Sequence, residues 1–362
     1  MERLLSRLKS LYDALEDTRS RRIFWARLAL DFDRTMTNAL ALASLRSGLT
    51  EEQIGAGKDW KRIFSTFPQE GKEIVLYGAS ATGMAAAEFL FNEGLDFYAF
   101  CARRPERFPE GVMGKRVFSP EWLFSRTEDV YVAITANNEH HREISDLLAE
   151  HGFPADRILP CFSQLGYVEG PDIYFEFPEL IPRGGALIDG GSYNGADSIR
   201  FAEYTGGDYS KIFVCEPDPV SFEICRENLA AAGLRDVELV PAGLSDRCAA
   251  ANFVVSGTQG SAFLAEEPGI PVRTTTIDAL AGGQRVSMIK MDIEGMEWEA
   301  LHGGAETIRR DRPLLAFSVY HKFGDLPRLM EYCRELVPEY RFRLRQYHGL
   351  VFDTVLYAYA DS

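Results

Sequence analysis

Residues 186–203 read ALIDGGSYNGADSIRFAE, with Asp189 at the end of an apolar run, Gly190 and Gly191 behind it, and Gly195 where an amphipathic stretch begins. Apolar run, glycine turn and helix in that order mark a strand feeding a helix, the unit of a parallel α/β sheet. Glycines at the turn open backbone conformations closed to other residues and permit close contact with a bound cofactor.

The same alternation extends downstream. Further strand candidates are KIFVCEP, VELVPAG, AANFVVS, SMIKMDIEG, PLLAFSVYH, YRFRLRQ and TVLYAYA, all within residues 181–362. Helical patterns follow the first, second, fifth and sixth strands of the series. The last two have none between them, which predicts an antiparallel close. The second strand ends in Cys215-Glu216-Pro217. A carboxylate there is placed to accept both hydroxyls of an adenosine ribose. The third is followed by Ser245-Asp246, where Asp246 can take the exocyclic amine of the base. MIKMDIEGMEWEAL sets Lys290, Asp292, Glu294 and Glu297 around a strand-to-helix exit. Acids clustered at the carboxyl edge of a sheet point to function.

Four strings in this order, LIDGGSYNG, VCEPDPVSFEICRENL, Thr275–Leu280 (TTIDAL) and Ile289–Glu297 (IKMDIEGME), carry a resemblance to the FkbM family of S-adenosylmethionine-dependent methyltransferases. It covers residues 185–360, about half the chain, and the last string is the most specific. The resemblance implies a seven-strand Rossmann-like methyltransferase domain whose last strand is antiparallel. It implies S-adenosyl-L-methionine as cofactor, with Asp189, Gly191 and Gly195 beneath its methionine and ribose portions. Glu216 would hold the ribose, Asp246 would lie on the adenine side, and Asp292 near the transferred methyl group. One departure is Ser192-Tyr193 where such proteins often have Ala-Asn; Tyr193 is expected to cover the cofactor or line the acceptor pocket.

A hydroxyl acceptor must lose a proton, and Asp292, Glu294 and His321 are the candidates for taking it. His321 ends PLLAFSVYH on the same sheet edge as Asp292, and a free imidazole with a pKa of about 6.5 suits a base near neutrality. Against this, His321 can equally be a hydrogen-bonded strand-end residue, and Glu294 can orient Lys290 or cap the next helix. His348, in QYHGL, is a weaker candidate. No compact metal-ligand motif such as HExxH occurs, so no metal is assigned.

Residues 67–165 read as a smaller Rossmann-like parallel α/β domain, with EIVLYG, LDFYAFC, VYVAITA and RILPCF as its strands. Its own glycine turn runs Gly78-Ala-Ser80-Ala-Thr-Gly83, with Ser80 where a dinucleotide fingerprint has its middle glycine. Arg103 and Arg104 follow the second strand, where an NAD site has an acid, and can accept a phosphate. Asn137, Asn138, His140 and His141 follow the third. Gly78, Ser80, Gly83, Arg103 and Arg104 are therefore candidates for a second ligand; surface arginines beside a structural turn are the plainer reading. This domain, with Gly114–Pro120 (GKRVFSP), is also similar to small nucleotide-binding-like modules beside sugar-modifying methyltransferases.

Residues 1–66 read as a helical N-terminal extension, a cap or dimerisation arm, with Leu4, Leu8, Leu11 and Leu15 on one face and a capping box at Thr50 and Gln53. Residues 166–180 form the connector. Among 362 residues, 54 acids against 39 Lys and Arg give a net charge of −15, which repels nucleic acid phosphate and anionic lipid. Six Cys without a CxxC pair fit a reducing, cytoplasmic setting, and no apolar run is long enough to span a membrane. The expected function is methyl transfer to oxygen of a sugar, a nucleotide-linked sugar or a related small metabolite. The alternatives are N-methylation, a nonenzymatic nucleotide-sugar binding or assembly protein with a degenerate methyltransferase domain, and an NADP-linked oxidoreductase. A homodimer is possible.

Overall fold

The computed structural model describes residues 2–49, 60–136, 138–159, 171–256, 260–263, 269–350 and 352–361. The Thr50/Gln53 capping box, Asn137, Cys161 and residues 166–170 of the connector lie outside the described residues. The chain forms two compact units, one of residues Met1–Phe24, Pro171–Arg345 and Asp353–Ser362, the other of Trp25–Gly170 and Gln346–Phe352.

Helices come first: α1 (Glu2–Asp13), α2 (Thr18–Phe32), α3 (Met36–Ala43) and α4 (Trp60–Thr66). Residues 1–24 belong to the larger unit, where Leu11 and Leu15 are buried and the Glu16 amide donates to Phe342 O at 3.0 Å. Leu4, at the other end of the leucine stripe, is exposed. Residues 25–49 and 60–66 belong to the smaller unit, where Arg34 pairs with Glu88 and Lys61 with Glu93.

In the smaller unit, strands β1 (Glu73–Tyr77), β2 (Ala99–Cys101), β3 (Val117–Phe118) and β4 (Val130–Ile134) form a parallel sheet in the order β3-β2-β1-β4. Helix α5 (Ala81–Asn92) follows β1, α6 (Pro120–Phe124) follows β3, and α7 (Asn138–Glu150) follows β4. Of the expected last strand, RILPCF, a single bridge between Ile158 and Val132 appears among the described residues. The two-residue β3 is too short to show a period in the sequence.

The larger unit starts its sheet with β5 (Ala186–Gly190), α8 (Ala196–Thr205), β6 (Lys211–Cys215), α9 (Pro219–Ala231) and β7 (Val237–Val240). Strands β8 (Ala242–Leu244), β9 (Ala249–Ser256), β10 (Gly260–Phe263) and β11 (Ile270–Thr275) follow. Then come α10 (Ile277–Ala281), β12 (Val286–Met291), α11 (Glu297–Gly303), α12 (Ala305–Asp311), β13 (Leu314–Ser318), α13 (Asp325–Leu336), β14 (Arg341–Gln346) and β15 (Thr354–Tyr359). Seven of these strands make one sheet in the order β14-β15-β13-β12-β5-β6-β7. Its inner pairs are parallel and β15 runs antiparallel to β13. Strand β5, fully buried along its length, sits between β12 and β6. The carboxyl ends of β5, β6, β12 and β13 therefore lie side by side, and the turns after them carry the candidate site residues.

A second sheet, β10-β9-β11-β8, was not apparent from sequence. VELVPAG reads as one strand, but Pro241 has no amide hydrogen to continue a ladder, and the chain passes from β7 in one sheet to β8 in the other across it. Strand β11 has one buried residue in six and opens Ile-Pro, so it lacks the buried run that betrays the inner strands.

Candidate active site

The turn after β5 is held by the protein's own polar groups. Asp189 is fully buried, and its Oδ2 accepts from the hydroxyls of Ser192 (2.8 Å) and Ser198 (2.6 Å). Lys290, from the neighbouring β12, puts its Nζ 3.1 Å from Asp189 Oδ1 and 2.9 Å from Asp197 Oδ2, and donates to Gly191 O at 2.8 Å. Burial alone would lower the Lys290 pKa, but Asp189, Asp197 and Asp292 outweigh it and keep the ammonium charged. Tyr174, from the connector, lies with its ring 5.1 Å from that ammonium. Asp189 thus fixes the shape of the loop, a job the sequence alone did not distinguish from cofactor contact.

Gly191 has φ +69°, and a Cβ there would stand 1.9 Å from Asp292 O. The glycine is required because the turn after β12 packs against it, with the Asp292 amide donating to Gly190 O at 3.0 Å. Gly191→Ala is expected to cost about 3 kcal/mol or more of stability, combining strain at positive φ with a backbone clash. Urea unfolding checks this, and an unchanged midpoint would show that the two turns are free to separate. Gly195, at φ +81°, caps α8 and lies against Leu229.

Glu216 follows β6 and is almost fully buried. Its Oε2 accepts the Tyr193 amide at 2.8 Å and its Oε1 the Asp218 amide at 2.9 Å. Burial pushes its pKa up against the pull of those two bonds. Glu216 therefore ties the β5 turn to the β6 turn while each oxygen keeps a second lone pair. Asp218 caps α9, accepting the amides of Val220 (3.0 Å) and Ser221 (2.7 Å), with Pro219 at the first helical position. Tyr193 holds a left-handed backbone at φ +55° and its side chain is exposed. Asp246 stands apart from these groups: it is exposed, beside the Ser245 hydroxyl (3.3 Å) and Arg247. Asp278, of the TTIDAL string, accepts the amide of Thr307 at 2.8 Å and so anchors the start of α12.

The turns after β12 and β13 bring three expected residues together. His321 Nε2 lies 3.4 Å from Asp292 Oδ1 and 3.5 Å from Glu294 Oε2. His321 Nδ1 lies 3.0 Å from Glu297 Oε1, which also accepts the Ile293 amide at 3.1 Å. Burial would lower the imidazole pKa, but Glu297 first, then Asp292 and Glu294, lift it to about 9. The ring is therefore an imidazolium at neutral pH, unlike the free imidazole expected from sequence. Glu297 is fully buried and was quoted in the sequence without a role; here it orients the ring. Tyr320 donates to Asp292 Oδ1 at 3.4 Å. Asp353, before β15, is pushed up to about 7 by burial and by Asp292, and Asp325 to about 6 by burial and Glu297. Neither Tyr320 nor Asp353 carried a sequence signal, because only the fold brings them to Asp292. Asp292, Glu297 and His321 each offer one ligand atom within 4.8 Å of the others, enough to hold a cation. His348 belongs to the smaller unit and is buried there.

Of the second-ligand candidates, Gly78 (φ +132°) would press a Cβ against Thr135 O at 2.9 Å, and Gly83 one against Gly78 O at 1.8 Å. Both glycines are thus needed for α5 to sit on its turn. Ser80 is exposed at the helix start, Arg103 is exposed and 3.0 Å from Glu143, and Arg104 is exposed. No helix among the described residues is long and apolar enough to cross a membrane.

A 2-O-methyltransferase, NoeI, of Sinorhizobium fredii is 28% identical over 162 residues, spanning 38% of this chain and 63% of that protein. The crystal structure of methyltransferase FkbM from Methylobacillus flagellatus KT superposes with a TM-score of 0.51 at 18% identity, covering 94% of this chain and 99% of that one. The methyltransferase FkbM domain matches residues 189–344, from the buried aspartate of the β5 turn into β14. The chain carries an FkbM-family methyltransferase domain over residues 189–344, and the turns after β5, β6, β12 and β13 all lie within it.

Proposed function

We propose that the protein is an S-adenosyl-L-methionine-dependent methyltransferase that methylates a hydroxyl of a sugar or related small metabolite. The observation that carries the reading is the backbone joint between Gly190-Gly191 and Asp292, which sets the acid–histidine cluster directly against the glycine turn. The donor set suits the cofactor. Glu216 has lone pairs for a ribose diol, and Asp292 and Glu294 favour a sulfonium cation nearby. When bound, S-adenosylmethionine supplies an electrophilic methyl group.

The chain's own residues do the rest. Glu216, tied to Tyr193 and Asp218, fixes the two cofactor-side turns. Glu297 holds His321 by Nδ1, so that Nε2 faces Asp292 and Glu294. In its neutral form His321 takes the proton of the acceptor hydroxyl at Nε2, and the adjacent carboxylates stabilise the imidazolium that results. The 2-O-methyltransferase relative supports oxygen as the accepting atom. The net charge of −15 suits a small neutral or cationic acceptor, and free cysteines support a cytoplasmic setting.

The test is S-adenosylhomocysteine release across a panel of glycosides, nucleotide-linked sugars and amines, run in excess EDTA and again with magnesium. Turnover with hydroxylated acceptors in EDTA is expected, because His321 already supplies a cation among the acids. Turnover only with magnesium would make Asp292, Glu297 and His321 a metal site. Turnover only with amines would make the protein an N-methyltransferase. Cofactor binding with no turnover on any acceptor would favour the nonenzymatic reading.

A further inference from the structure

Three buried cations of this protein face carboxylates: Arg27 lies 2.6 Å from Asp31, Lys290 lies 2.9 Å from Asp197, and Arg345 lies 3.2 Å from Asp17. Arg46 does not. It is 1% exposed, and its Nε, Nη1 and Nη2 are all buried without a hydrogen-bond partner among the described residues. Burial pushes its pKa down to about 10, so it is still a cation at neutral pH. A buried, unpaired guanidinium is costly, and a fold keeps one only where something compensates it.

Arg46 sits in the turn after α3, inside the smaller unit. The next amide, of Ser47, donates to Gln346 O at 2.8 Å. The Gln346 carboxamide in turn donates to the carbonyls of His348 and Phe352, each at 2.7 Å, which pins His348 beside this turn. His348 Nδ1 accepts the Leu350 amide at 3.3 Å, leaving its proton on Nε2 as a donor. The charge of Arg46 also bears on His141, in the first turn of α7. Burial and that charge together hold both rings neutral, His141 at about 4 and His348 at about 3. The cluster is one fixed cation with two uncharged imidazoles.

The cluster's place in the sheet matters. The chain steps from β1 outward to β2 and β3 on one side and to β4 on the other. The crevice between the carboxyl ends of β1 and β4 is thus the switch point, where open parallel sheets bind ligands. Thr135, just past β4, bonds the Tyr77 carbonyl at 3.0 Å across that point, and His141 lies six residues further on. The exposed Arg103 and Arg104 that the sequence offered for a phosphate are solvated, and Arg103 already faces Glu143.

We propose that Arg46, with His141 and His348, binds one oxyanion group of a small molecule, a phosphate or a carboxylate, at the carboxyl edge of the smaller sheet. A guanidinium presents a planar fork of donors that matches either group, and neutral imidazoles add donors without adding charge.

The experiment titrates the whole 362-residue chain with inorganic phosphate and with sodium acetate at constant ionic strength, by calorimetry and thermal melting. Saturable binding of at least one ion is expected, with Tm rising by several degrees at about 100 times Kd. Phosphate alone would assign a phosphate ester, acetate alone a carboxylate, and both a general oxyanion site. Arg46→Met should weaken binding by at least about tenfold, as loss of a charged bidentate partner does, and should melt no lower than the ion-free wild type. Arg103→Met should bind as the wild type does. If Arg46→Met does not fold, Arg46→Gln makes the same comparison. Absence of saturable binding by the folded wild type, or equal binding by a folded Arg46 variant, overturns the proposal.

Discussion

Glu216→Gln is expected to weaken S-adenosylmethionine binding by about 30- to 1,000-fold, since a lost charge-assisted contact and a broken loop tie each contribute on the order of 1–2 kcal/mol. The wild-type carboxylate accepts the Tyr193 amide on one oxygen and the Asp218 amide on the other. A carboxamide has one oxygen, so its NH2 must face one of two backbone donors. The β5 turn or the β6 turn then loses its anchor, and the ribose loses its charged acceptor together with it. Glu216→Asp keeps the charge but shortens the reach, so it should fall between wild type and Glu216→Gln. Titration calorimetry reads all three directly. Unchanged affinity in a folded Glu216→Gln protein would remove the residue from the cofactor site and leave it as a loop tie alone.

Strands β5, β6 and β12 of the larger sheet were legible because they are buried on both faces and therefore read as nearly unbroken apolar runs ending in glycine or acid. The acids that close those runs, Asp189, Glu216 and Asp292, were legible for the same reason: a charge at the end of an apolar strand is conspicuous. Their division of labour was not. Asp189 and Asp292 look alike in sequence, yet one is held by two serine hydroxyls and paired with a lysine while the other faces a histidine. Lys290 decides this, and its partners come from β5 and α8, a hundred residues upstream. Glycine had the same ambiguity. Gly191 signalled a cofactor loop, whereas its immediate cause is the Asp292 carbonyl packed against it. Arg46 gave no signal at all, since a lone arginine in a helical stretch is ordinarily a surface residue.

The pH dependence of turnover gives the sharpest test of His321. The pKa of about 9 belongs to the protein without substrate, and kcat/KM reports the groups of the free enzyme. If His321 is the base, kcat/KM should climb about tenfold per pH unit up to about pH 9 and then level. A profile flat from pH 6 to 9 would instead assign the proton to Asp292 or Glu294. His321→Gln should lower turnover by about 10²- to 10⁴-fold and abolish the alkaline rise, with little change in cofactor affinity. Stability moves the opposite way with pH. The folded pKa of about 9 lies above the unfolded value of about 6.5, so proton binding stabilises the fold fully below about pH 6.5 and the gain is gone above about 9. The shift corresponds to about 3 kcal/mol at the acid end of that window. Unfolding of wild type and His321→Gln should therefore differ most near pH 6 and converge above pH 9. A difference that is constant across this range would mean that Glu297 and Asp292 do not hold the proton on the ring, and the base reading would lose its electrostatic footing.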